Sequence, residues 1–83
     1  MNMMRLMANK IHITTARKML DSGNPVDIQV FAKDGRVLRM NNCVSLRYDF
    51  RAGIRRIKLL DSRQIRTIRD VCLYTINDLE VFL

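Results

Sequence analysis

Tryptophan is missing from these 83 residues, and proline, histidine, cysteine and glycine are scarce, with one Pro, one His, two Cys and three Gly. So few glycines leave none to spare for a glycine-rich phosphate loop beyond those that turns require. His12, Cys43 and Cys72 match no zinc spacing, and the two cysteines lack a C-x-x-C arrangement. Each cysteine is read as a reduced thiol and neither as half of a disulfide, so no metal and no cofactor are expected. No apolar run approaches the roughly 20 residues of a membrane span. Met1 to Lys10 is too interrupted to serve as the apolar stretch of an export signal. A cytoplasmic protein with no membrane partner is the expectation. Catalysis is not expected either, because there is no nucleophile–base–orienter set and no paired carboxylates, and nothing points to a small-molecule substrate.

What the chain does have is apolar content, at 48%, which is enough to fold. Its length suits one core and not two, so residues 1–83 are read as a single domain. The net charge of +7 is unevenly distributed, at +4 over residues 1–20, zero over 21–46, +6 over 47–69 and −3 over 70–83. Eleven of the fifteen cations are arginine, whose planar, weakly hydrated fork suits phosphate better than a lysine point charge does.

Local pattern gives the elements. A helix is expected over 14–23, with Thr14 or Thr15 as N-cap, Gly23 as a left-handed C-terminal cap, and Asn24-Pro25 as the stop. From residue 26 to 83 the alternation is that of strands. Val26–Ala32 and Arg36–Met40 form a hairpin. A three-residue loop, with Gly35 in the left-handed position, pairs Val30 with Leu38 and Ile28 with Met40, so that apolar meets apolar. Asn41-Asn42 bend the next stretch, after which Val44, Leu46, Tyr48 and Phe50 are assigned to the core face. An even loop then sets Tyr48 against Ile57, Leu46 against Leu59, Asp49 against Arg56 and Arg47 against Lys58. Residues 61–64 make a turn, the period slips at Arg69-Asp70, and Asn77-Asp78 is a two-residue hairpin turn joining Ile76 to Leu79.

The fold class is therefore α+β and mainly β: a short N-terminal helix, then a strongly curved antiparallel sheet of five or six strands or a small half-open barrel. In architecture this resembles Src-homology-three-like or oligonucleotide-binding barrels, with no family motif to support it.

Two surfaces carry functional content. Arg47, Arg56, Lys58 and Arg69 are expected to form a cationic patch across three strands, with Asp49 inside it and Arg55, Arg63 and Arg66 near its rim. Phosphate contact is the favoured use of such a patch, through counterion release. The bland alternative is solvated arginines partly balanced by Asp61, Asp70, Asp78 and Glu80. Among aromatics, Phe31 is the main exposed candidate. The second surface is the Met-rich segment 1–10, where Met3, Met4, Leu6 and Met7 could dock on another protein or a second copy. The leading expectation is a non-enzymatic binding module for nucleic acid. The alternative is an interaction or assembly subunit, as a homodimer or with another protein, using a strand edge or this segment.

Overall fold

The computed structural model describes residues 9–83. Met3, Met4, Leu6 and Met7 lie outside the described residues. The elements are β1 (Lys10–His12), α1 (Ile13–Asp21), β2 (Val26–Phe31), β3 (Val37–Asp49), β4 (Ile54–Leu59), β5 (Ile65–Arg69), a 3-10 turn (Asp70–Cys72), β6 (Leu73–Ile76) and β7 (Leu79–Phe82). They form one seven-stranded sheet in the order β1-β7-β6-β2-β3-β4-β5, which does not close. The sheet is mixed, because β1 runs parallel to β7 while the other pairs are antiparallel. Among the described residues no helix is long and apolar enough to cross a membrane.

The helix follows β1 and does not open the fold as expected. Its N-cap is His12, whose Nδ1 accepts a hydrogen bond from the Thr14 amide at 3.1 Å. Neither Thr14 nor Thr15 occupies the cap, because pairing of Lys10–His12 with Glu80–Phe82 holds His12 extended just before the first turn. The C-terminal end matches the sequence signal: Ser22 donates to the Lys18 carbonyl at 3.0 Å and Gly23 takes φ +83°, a conformation that costs glycine little. Ile13, Ala16 and Leu20 of α1 are buried in a core with Val26, Ile28, Val30, Met40, Cys43, Ile57, Ile68, Leu73 and Ile76.

The first hairpin has the register expected from its side-chain faces, with Ile28 opposite Met40, Gln29 opposite Arg39 and Val30 opposite Leu38. Gly35 sits at φ +87°. Asn77 and Asp78 both have positive φ and place Ile76 opposite Leu79, as a two-residue turn between twisted strands requires.

β3 departs from strict alternation twice. Asn42, at φ +51°, sits in a bulge: Met40 pairs with Ile28 and Cys43 with Val26, so two residues of β3 face Asp27 alone. The Asp27 carboxylate accepts from the Asn42 amide at 2.7 Å and holds the bulge. One extra residue swaps the faces of everything after it. Cys43 and Ser45 therefore turn inward, and Val44 and Leu46 do not occupy the core. A second irregularity at Leu46 restores the original phase, since Ser45 pairs with Ile57 but Arg47 with Arg56. The expected pairs of Tyr48 with Ile57, Leu46 with Leu59, Asp49 with Arg56 and Arg47 with Lys58 are thus replaced. The observed partners are Tyr48–Arg55, Cys43–Leu59, Asp49–Ile54 and Val44–Lys58.

The inward residue opposite Tyr48 is Arg55, 1% exposed. Its Nε donates to Oδ1 and its Nη2 to Oδ2 of Asp70, both at 2.9 Å, and Asp70 is also 1% exposed. Nη1 donates to Asp21 at 2.7 Å and to Ser45 at 2.9 Å. The guanidinium lies 4.7 Å from the Tyr48 ring centroid. Arg17 adds a third donor to Asp70 at 3.2 Å. Burial alone would lower the Arg55 pKa, but its hydrogen bonds to Asp70 and then to Asp21 outweigh it, and the net shift is upward. Among the described residues no buried side-chain nitrogen or oxygen lacks a partner. Removing one member of a buried pair strands the other charge. Asp70→Asn is expected to lower the unfolding free energy in urea by about 3–5 kcal/mol, whereas Arg17→Ala, at the solvent edge, costs about 1 kcal/mol or less.

Candidate nucleic-acid interface

Alternation along β4 decides which cations can meet a ligand. Arg55 and Ile57 point inward, so Arg56 and Lys58 point out. Register carries this across three strands. Arg47, Arg56 and Thr67 form one row, Val44, Lys58 and Ile65 the row beside it, and Asp49, Ile54 and Arg69 the row on the other side. Arg47, Arg56, Lys58 and Arg69 thus share one face of β3–β4–β5. Arg56 stands opposite Thr67, with Arg69 on the diagonal beyond it. Directly opposed like charges such as Arg47 and Arg56 cost roughly 0.2–1 kcal/mol.

Three of the four carboxylates weighed as counter-charges are engaged elsewhere. Asp70 holds Arg55 and Arg17, Glu80 lies 4.0 Å from Lys10, and Asp61 accepts from Asn42. Asp49 shares the face, but its Oδ1 accepts from the Arg51 and Ala52 amides of the β3–β4 loop at 3.1 and 3.3 Å. Among the described residues no carboxylate comes within 4.0 Å of Arg47, Arg56, Lys58 or Arg69.

Two rim residues are corrected. Arg55 is no surface ligand, because it is consumed in the buried network. Arg66 lies opposite Ile57, on the side away from the Arg56 row, and its guanidinium bonds the Gln64 side chain. Arg63 is exposed in the β4–β5 turn at φ +61°.

The aromatic residues are also redistributed. Phe50, assigned to the core from its alternation, is 78% exposed, because it falls in the four-residue loop after Asp49 where strand parity no longer applies. Leu46, the extra residue of the second bulge, is 50% exposed. Sequence reasoning missed Phe50 as an accessible ring. The signal that could have found it is Asp49, a residue that readily turns back onto the following amides. Phe31 is exposed as expected, and its ring packs against Tyr74 with centroids 4.9 Å apart.

Of the remaining candidates, His12 and Cys43 have structural partners. His12 caps α1 and meets Phe82 edge-on at 5.2 Å. Cys43 is fully buried, its Sγ donating to the Val26 carbonyl at 3.3 Å, while Cys72 is partly exposed. Burial, with Asp27 nearby, pushes the Cys43 thiol from 9.0 up to about 11. The folded state therefore keeps this proton through a range where the unfolded chain gives it up. The associated stability is present below pH 9.0 and is lost as pH rises toward about 11. The melting temperature of the unmodified protein is accordingly expected to fall more steeply over that interval than that of Cys43→Ala, as followed by circular dichroism.

Compared with known protein families, curated proteins and solved structures, the chain matches none.

Proposed function

We propose that the protein is a non-enzymatic module that binds nucleic acid through phosphates, using Arg47, Arg56, Lys58 and Arg69. The observation that carries this reading is the unneutralised row structure of β3–β4–β5. Two arginines stand directly opposite each other, with further cations on the flanking rows, while the nearby carboxylates are tied into the fold. Like charges held side by side destabilise the free protein, and a polyanion relieves that repulsion while counterions are released. Phosphate contacts of this kind position a ligand without reading its sequence. Phe50 stands beside Asp49 at the end of the patch, where an unpaired base could stack.

The strand order also bears on the architectural resemblance. β2 to β5 form a meander, and β6 returns to pair with β2. This supports the Src-homology-three-like form over the oligonucleotide-binding form, which is a Greek-key barrel.

Four phosphate contacts give a slope of log affinity against log salt of roughly −3.6, at about −0.9 per duplex phosphate. Fluorescence anisotropy with a random duplex should show this slope. Arg56→Glu combined with Lys58→Glu should abolish binding at low salt with thermal unfolding nearly unchanged, since both side chains face outward. No binding by the unmodified protein at low salt would sink the reading.

A further inference from the structure

β5 is one edge of the open sheet, and a cavity of about 370 Å³ lies between it and the end of β2. Its walls include Val30, Phe31, Leu38, Met40, Ile68 and Cys72. Three consecutive residues of β5, Thr67, Ile68 and Arg69, line it. Consecutive strand residues point to opposite faces, so a cavity touching all three meets the strand along its edge. That edge is free among the described residues, because β5 pairs with β4 alone. Across the cavity, β6 covers β2 only as far as Val30, leaving Phe31 and Ala32 beyond its reach. An apolar cavity thus lies against a row of backbone groups suited to accept another strand.

Charge selects what fits. Lys33 and Arg69 both line the cavity, and among the described residues neither has a carboxylate within 4.0 Å. Asp34, next to Lys33, is held by Arg36 at 2.6 Å, and Asp70, next to Arg69, is buried under Arg55. A second copy offering its own β5 edge would bring Arg66 and Arg69 against Arg66 and Arg69, on chains that each carry +7. Residues 1–8 contain Arg5 and no carboxylate. The complementary occupant is acidic.

We propose that the β5 edge accepts an extended acidic peptide segment of another protein by strand addition. Its backbone bonds β5, its alternate apolar side chains enter the cavity, and its carboxylates meet Lys33 and Arg69. The site is distinct from the phosphate-binding reading, sharing only Arg69 with it.

The test uses a fluorescent peptide of alternating Glu and Leu, read by anisotropy against the unmodified protein, with a Lys–Leu peptide as the charge control. Two further versions are N-methylated at alternate residues in opposite phases. The acidic peptide should bind and the basic one should be weaker by roughly tenfold or more. One N-methyl phase should lose binding by a similar factor, because it blocks the bonds to β5, while the other phase retains it. Leu38→Trp, which fills the cavity, and Lys33→Glu should each weaken the peptide and leave duplex binding unchanged. No binding of the acidic peptide, equal binding of both N-methyl phases, or equal binding of the basic peptide overturns the proposal. A stable dimer by light scattering that excludes the peptide overturns it in favour of a second copy.

Discussion

The bidentate contact between Arg55 and Asp70 is the centre of a buried network that ties α1, β3, β4 and the 3-10 turn together. Asp70 opens the 3-10 turn, Arg55 lies in β4, and Asp21, Ser45 and Tyr48 bring the end of α1 and the inner side of β3 to the same guanidinium. In a fold this small the apolar core is limited, and a charge placed inside it must have every donor satisfied or it costs several kcal/mol. Here five donor contacts from Arg55 and Arg17 converge on two aspartates and a serine. The arrangement positions α1 against the bent sheet and sets where the chain turns from β5 toward β6.

The same contact shapes the surface. Because Asp70 is consumed inside, it is not available to neutralise the outer face of β4, and Arg56 is left among cations. Arg55 and Arg56 are neighbours in sequence with opposite roles, one a buried tie and the other a surface charge. Pleating alone separates them. The phosphate-binding reading therefore depends on a network that has no contact with ligand.

Much of the local structure was legible in the residues. The first hairpin and the Asn77-Asp78 turn follow from side-chain faces and from residues that tolerate positive φ, and the slip at Arg69-Asp70 marks the 3-10 turn. β3 was harder. A bulge at Asn41-Asn42 and another at Leu46 each swap the faces, so the outward position of Arg47 results from two errors of phase that cancel. Nothing local announces the second one, because Leu46 is apolar and fits the alternation it breaks. β1 was invisible for a different reason: three residues of Lys-Ile-His carry no period, and their strand character comes from a parallel partner some 70 positions away.

Composition and short-range pattern settled the secondary-structure class, the turns, and the concentration of positive charge in the middle of the chain, because those properties depend on residues close together in sequence. Only the tertiary structure decided which arginine is buried, which carboxylates are spent, and where the sheet stays open. Those outcomes turn on pairings between distant strands, and a single bulge, costing little by itself, redirects every side chain beyond it.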